Sequence, residues 1–214
     1  MGAIADAFRD GGIWMYSILV VSVVALGIAI ERFIFLFFKY NINANAFMAQ
    51  IQKLVMAGNV DRAIKLCNAA PSAALPKVVK AGLTRANKGE VQIQNAIEEA
   101  TLEVIPFVTR RTNALLALAN IATLLGLLGT IIGLIEAFAA LEDAAPEDRQ
   151  RLLAGGISLA MNTTAFGLVV AIPTMVAHLF LSGISKRIVD EIDQHSVKLE
   201  NLLVAHSKRG GVEG

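Results

Sequence analysis

The sequence is short of charged residues and of cysteine. Asp, Glu, Lys and Arg make up only 17% of the 214 residues, whereas soluble domains usually carry about a quarter. The formal net charge of +1 gives no general electrostatic argument for nucleic-acid binding.

The single cysteine, Cys67, has no partner for an internal disulfide and is expected to be a free thiol in a reducing compartment. We expect no signal peptide, because the first apolar run is too long and lacks a small-residue cleavage site.

What the chain has in excess is apolar sequence, gathered in three long runs. Hydrophobic residues make up 55% of the chain, and the mean hydropathy is +0.59. Uncharged runs cover 11–30, 112–135 and 152–185, the third interrupted only by Pro173 and His178. About 20 helical residues cross the hydrocarbon core of a bilayer. The runs therefore predict an all-α membrane protein with three transmembrane helices.

Basic residues near the ends of the runs predict the orientation of the chain. They are Lys39, Arg110, Arg111, Lys186 and Arg187. The link 142–151 carries four acids against two arginines, and the N-terminal tail has only Arg9 as a base. The positive-inside rule then places the N-terminus outside and the C-terminus in the cytoplasm. The predicted segments are a tail and first span (1–39), a cytoplasmic helical segment (40–111), a second span (112–141), a periplasmic turn (142–152), a third span (153–185) and a cytoplasmic C-terminal helix and tail (186–214).

The two segments predicted to be cytoplasmic have apolar residues at helical spacing. In the middle segment these are Ile51, Leu54, Val55, Val60, Ile64 and Cys67, and after the third run they are Ile188, Ile192, Leu199 and Leu203. Gly58-Asn59 predicts a stop between two helices, and Pro71 and Pro76 predict further breaks. From Glu90 a helix is expected to run into the second span with a bend at Pro106. Long helices would thus extend from the membrane into a cytoplasmic bundle.

A small set of polar residues is expected near the middle of the membrane. Thr130 and Thr164 each lie 11 residues from the outer ends of their spans, which places both about 16 Å deep in an antiparallel pair of helices. Thr163 and Asn162 adjoin Thr164. Two interpretations stay open. Hydroxyls often bond to their own helix, and glycines such as Gly126, Gly129, Gly133 and Gly167 are a general device for close helix packing. A functional role is favoured by the convergence of these groups and by the cost of exposing Asn162 to lipid.

No carboxylate is expected at the same depth. Glu31, beside Arg32, and Glu136 lie near the ends of their spans, where they can snorkel to the interface or form a charged contact. His178 is expected to be an interfacial hydrogen-bonding residue. Proton transport normally needs a titratable group in the middle of the membrane. If this chain conducts protons, the acid should therefore come from a partner chain.

Two long motifs resemble a known family. "LLGLLGTIIGLIEAF" at 124–138 and "GISLAMNTTAFGLVVAIP" at 156–173 are similar to the signature of the MotA/TolQ/ExbB proton channel family, and the three spans resemble its ExbB/TolQ branch. The resemblance implies a subunit of an inner-membrane motor, a homopentamer around two copies of a single-span ExbD/TolR/MotB-type partner that carries the proton-binding aspartate. It places Thr130 and Thr164 on the threonines that line the proton path, and Pro173 on the "AIP" of the motif.

One residue departs from that family pattern. Leu159 stands where ExbB and TolQ commonly carry a glutamate, so gliding-type motors with ExbB-like subunits are also plausible. The hypothesis is a subunit driven by the proton motive force, with H⁺ preferred to Na⁺ and no cofactor. The alternative is a non-conducting oligomeric scaffold that recruits partners through its cytoplasmic helices. An intramembrane enzyme is disfavoured because Ser158 and His178 lie about 30 Å apart along one helix.

Overall fold

The computed structural model describes residues 12–40, 42–142 and 144–210, with the side chains of 39, 40 and 206–210 left out. The expectations about Arg9, Lys39 and the acid at 143 fall outside these described parts. All regular structure in them is helical, and the helices are α1 (Gly12–Ile34), a π-helical turn (Phe35–Tyr40), α2 (Ala44–Met56), α3 (Val60–Ala69), α4 (Ala74–Thr84), α5 (Glu90–Thr109), α6 (Thr112–Ala140) and α7 (Arg149–Gly210).

Three stretches of helix are long and apolar enough to cross a membrane. They are Ile13–Phe38, Glu90–Ala140 and Arg149–Ala205. The prediction of an all-helical chain with three spans is therefore confirmed. The helix α7 continues through position 185 without interruption as far as Gly210.

One compact unit contains α1 up to Glu31 together with Arg111–Phe180. Its core is small and tightly packed: Ala119 and Ala122 of α6 meet Ala171 of α7 and Ile18 of α1. Large apolar side chains face outward, among them Leu124, Ile135 and Val169. A unit that is apolar both inside and outside is suited to surroundings of lipid or of other apolar helices.

The second compact unit contains Arg32–Arg110 and Leu181–Gly214. Its core uses the residues whose helical spacing predicts burial, because Ile51, Val55 and Cys67 are buried, as are Ile192 and Leu199 on α7. Gly58 has φ +71, a conformation that glycine adopts at little cost, and it follows the end of α2 as its position predicts.

Two expectations about helix breaks need correction. Pro76 does not break the chain, because it lies in the first turn of α4, where a backbone N–H has no helical acceptor to lose. The helix from Glu90 does not run unbroken into the second span. The helix α5 continues for another turn to Thr109, and the interruption before α6 lies at Arg110 and Arg111.

Candidate functional site

The structure brings together two hydroxyl groups that the sequence places at equal depth. The Oγ1 atoms of Thr130 on α6 and Thr164 on α7 are hydrogen-bonded to each other. Thr164 Oγ1 also lies 3.0 Å from the carbonyl oxygen of Gly126 on α6. Thr130 Oγ1 lies 3.0 Å from the carbonyl oxygen of Ala160 on α7 and 3.2 Å from that of Gly126. We call Thr130 and Thr164 the hydroxyl pair.

The hydroxyl pair has fewer protons than acceptors. Each hydroxyl carries one hydrogen and can accept others, and one hydrogen is used between the two oxygens. The remaining hydrogen can go from Thr164 to the Gly126 carbonyl, or from Thr130 to the carbonyl of Ala160 or of Gly126. The hydrogen bond between the two hydroxyls therefore points one way or the other, depending on which carbonyl accepts the remaining hydrogen. A short hydrogen-bonded chain of reversible polarity therefore crosses from one helix to the other.

Small residues let the two helices approach closely enough for this contact. A Cβ atom built on Gly167 would lie 2.8 Å from the carbonyl oxygen of Ala122, and one on Gly126 would lie 3.2 Å from the Cα of Thr164. These neighbours are backbone atoms, which cannot rotate away. We call this contact the small-residue seam, formed by Gly126, Gly129 and Gly133 of α6 and Gly156, Ala160, Thr163 and Gly167 of α7.

The sequence reasoning missed Gly156. A Cβ atom there would lie 2.1 Å from the Cβ of Ala137, so Gly156 belongs to the seam as much as the four predicted glycines do. Its signal was its spacing, since 156, 160, 163 and 167 recur on one helical face. The seam joins two helices of the same chain.

The other predicted residues of the third span take different positions. Thr163 is buried, and its hydroxyl donates to the carbonyl of Ala160 at 2.8 Å. A Cβ atom built on Gly129 would lie 2.9 Å from the same hydroxyl. Asn162 is exposed on the chain, and so is Pro173. Leu159 is half-buried. Only Thr163 therefore joins the hydroxyl pair at the contact between α6 and α7.

A family model matches residues 71–194, which include both members of the hydroxyl pair and all of the seam, and its description is the MotA/TolQ/ExbB proton channel family. The chain belongs to this family. The resemblance found in the two motifs, including its ExbB-like character, is confirmed.

Named relatives and a solved structure agree with this membership. The chain is 26% identical over 194 residues to an ExbB homolog from Methanothermobacter thermautotrophicus, covering 90% of this chain and 67% of that protein. It is 29% identical over 174 residues to a Synechocystis protein named ExbB-like 3, covering 80% and 82%. The fold matches that of a chain in the structure of C. jejuni MotAB with a TM-score of 0.63 and 17% identity, covering 97% of this chain and 83% of that one.

In this MotA/TolQ/ExbB family chain, the charged residues near the span ends have separate roles. Glu31 pairs with Arg111. Both side chains of that pair are partly exposed, so it contributes little to stability. Glu136 is exposed. His178 Nδ1 lies 2.8 Å from the carbonyl of Thr112. A carbonyl only accepts, so Nδ1 carries the proton.

Arg32 is buried, at 4% exposure, and its guanidinium donates to the end of α5. It bonds to the carbonyl of Phe107 at 3.1 and 3.2 Å and to that of Val108 at 3.2 Å. The hydroxyl of Ser185 also donates to Val108 O, at 3.1 Å. These carbonyls lie in the last turn of α5, where a helix has no further N–H groups to offer. Arg32 and Ser185 together cap this helix end.

The burial of Arg32 agrees with its spacing along α1. Ile18 and Ala25 are buried on α1, and Arg32 continues their seven-residue spacing. Seven residues are close to two helical turns, so the three positions share one face.

Proposed function

We propose that the chain is the ring subunit of a motor driven by the proton motive force. Five copies surround two copies of a single-span partner of the ExbD/TolR/MotB type in the bacterial inner membrane. The N-terminus is outside and the C-terminus is cytoplasmic. The complex conducts H⁺ in preference to Na⁺, needs no cofactor, and produces rotation or force for envelope transport or motility. The family's description as a proton channel, and relatives named for biopolymer transport, support this proposal.

The hydroxyl pair is the observation that carries the proposal. A partner aspartate is uncharged when protonated and can then face apolar helices, but its ionised form needs hydrogen-bond donors in a medium without water. The hydrogen that Thr130 or Thr164 gives to a helix carbonyl can be redirected to such a carboxylate. The pair therefore supplies a donor when the acid is charged and satisfies itself when the acid is neutral.

Asn162 is the second polar group that the proposal uses. It is exposed on the single chain although it lies within an apolar span, and an amide facing lipid is costly. In the ring it faces a neighbouring subunit or the partner helix. The membrane potential provides about 2.3 kcal/mol per charge for each 100 mV, which drives the steps between the outer and inner access to this site.

The test compares two pairs of Thr→Val variants. Thr130→Val and Thr164→Val remove the hydroxyl pair. Thr123→Val and Thr174→Val are matched controls on the same two helices, because those hydroxyls bond to the carbonyl one turn earlier, at 3.1 and 2.8 Å. Each variant is reconstituted in liposomes with its single-span partner, and proton uptake is followed with an internal pH dye under an imposed potential.

We expect Thr130→Val and Thr164→Val to lower the proton flux by at least about tenfold, with the controls close to wild type and all four variants assembling normally. Unchanged flux in the two test variants would remove the hydroxyl pair from the proton path. No flux from the wild-type complex would favour the non-conducting scaffold. Flux that follows a sodium gradient at constant pH would change the ion from H⁺ to Na⁺.

A further inference from the structure

The segment that follows α1 is strongly basic although the whole chain is nearly neutral. Residues 40–89 contain seven Lys or Arg residues and a single acid, Asp61. In a chain that spans a membrane, basic residues next to a span are attracted to anionic lipid headgroups. The structure shows where some of these cations gather.

Three of the cations line one cleft between α2 and α3. The cleft has a volume of about 560 Å³, and its walls include Lys53 of α2 with Arg62 and Lys65 of α3. No carboxylate is among its lining residues. Such a concentration of positive charge without a counter-charge fits an anionic ligand, and Arg is suited to binding the oxygens of a phosphate.

An apolar groove adjoins this basic cleft. It has a volume of about 450 Å³ and lies between the end of the first apolar helix, at Ile34, Phe35 and Phe38, and the chain around Pro71. Phe38 is 79% exposed. Three of its lining residues thus belong to the stretch Ile13–Phe38, which is apolar enough to cross a membrane.

Ala69 lines both the apolar groove and the basic cleft. Along α3, Lys65 and Arg62 lie four and seven residues before Ala69, on the same helical face. At 1.5 Å per residue they are about 6 and 10 Å from it. A single elongated molecule can therefore occupy the groove with an apolar part and reach the cations with an anionic end.

We propose that this site binds one anionic phospholipid from the leaflet at this end of α1, with an acyl chain along Phe35 and Phe38 and the phosphate at Arg62 and Lys65. The apolar groove continues from a membrane-spanning helix, which favours a lipid over an acidic peptide or a free phosphate. The proposal does not depend on ion conduction, so the flux experiment and the lipid experiment can fail independently.

The test uses the full-length protein and two double variants of the same composition. Arg62→Gln/Lys65→Gln removes the two cations of the cleft. Arg85→Gln/Lys88→Gln is the control, because it removes an exposed Arg and Lys with the same spacing from the same basic segment. Native mass spectrometry measures how much phosphatidylglycerol and phosphatidylcholine each protein retains from mixed-lipid nanodiscs.

We expect wild type and control to retain phosphatidylglycerol preferentially, and Arg62→Gln/Lys65→Gln to retain at least about tenfold less. Phe38→Ala should weaken retention of both lipids. Equal loss in the two double variants, or no preference between the lipids, would overturn the proposal. Short-chain phosphatidylglycerol serves as the reference competitor. If glycerol 3-phosphate or an acidic peptide displaced the bound lipid at the same concentration, the proposal would also be overturned.

Discussion

At the scale of single residues, Arg32 supplies the donors that the backbone lacks at the end of α5. Its side chain makes three contacts with two carbonyl oxygens. A charged group with 4% exposure is tolerated only when it is hydrogen-bonded. Hydrogen bonds that involve a charged group contribute about 1.5–3 kcal/mol each to stability. Arg32 is thus a structural residue of the helix end.

Replacing Arg32 should loosen the end of α5. We expect Arg32→Gln to lower the thermal midpoint of the purified protein and to speed hydrogen exchange of the amides around 105–114, with a cost of about 2–4 kcal/mol. Arg32→Lys should recover only part of the lost stability, because an ammonium lacks the planar fork of the guanidinium. Arg110→Gln is the control, since Arg110 is exposed at the same break. An Arg32→Lys protein identical to wild type would contradict the capping role.

The depth of Thr130 and Thr164 could be predicted, because the rise per residue is the same in both antiparallel helices. Their hydrogen bond could not, since it depends on how each helix is rotated about its axis. That rotation is set by the glycines and alanines packed between the helices. The partner of Arg32 was also beyond prediction from local sequence, because Phe107 and Val108 are more than 70 residues away.

At the scale of helices, the small-residue seam determines the distance between α6 and α7. Gly126 and Gly167 face each other with Cα atoms so close that a Cβ on Gly167 would lie 3.2 Å from the Cα of Gly126. Lipid gives no hydrophobic force between apolar helices, so their association depends on close packing and hydrogen bonds. The seam provides the packing and the hydroxyl pair provides the hydrogen bonds.

A methyl group in the seam should separate the two helices. We expect Gly167→Ala to destabilise the protein by about 1–3 kcal/mol, because the added atom would meet the Ala122 carbonyl at 2.8 Å. It should also lower proton flux by pulling the hydroxyl pair apart. The matched control is Gly183→Ala on the same helix, where nothing lies within 4 Å of the added atom. Thermal unfolding in detergent measures the stability of both glycine variants, and the liposome assay measures their proton flux.

For the control we expect a neutral or stabilising change, since alanine favours a helix over glycine by about 1 kcal/mol. Equal behaviour of the two glycine variants would show that the seam tolerates a wider spacing.

The helices themselves and the stop at Gly58 were predictable, but the interruption between α5 and α6 was not. Helical spacing identified Ile51 and Val55, and Leu199 and Leu203, as buried positions. The helix expected to run from Glu90 into the second span is instead interrupted at Arg110 and Arg111. A proline removes one hydrogen bond, but a helix end is stable where outside donors reach its carbonyls, and here those donors come from α1 and α7.

At the scale of the whole molecule, the proposed orientation can be tested with reporter cysteines. Glu147→Cys lies in the link before α7 and Asn87→Cys lies before α5, and both positions are exposed. The native thiol gives little background, because burial raises the pKa of Cys67 to about 11, so almost no thiolate exists at neutral pH.

We expect a membrane-impermeant maleimide to label Glu147→Cys on intact cells, and Asn87→Cys only after permeabilisation. Labelling of Asn87→Cys on intact cells would reverse the orientation.

The stability that the protonated Cys67 contributes is present below pH 9 and is lost as the pH rises towards 11, because the unfolded thiol ionises first. Native Cys67 should therefore become reactive only in strong alkali or after unfolding.

The hydroxyl pair also bears on how the chain is made. A newly synthesised second span would enter the lipid with the hydroxyl of Thr130 bonded only within its own helix. Once the third span follows through the short link 141–148, Thr164 gives that hydroxyl a second partner. The two spans can thus pair as a hairpin within a single chain. In the proposed ring, assembly would then begin from hairpins whose hydroxyl pair is already hydrogen-bonded, and the exposed Asn162 would be a polar group that the assembled complex has to cover.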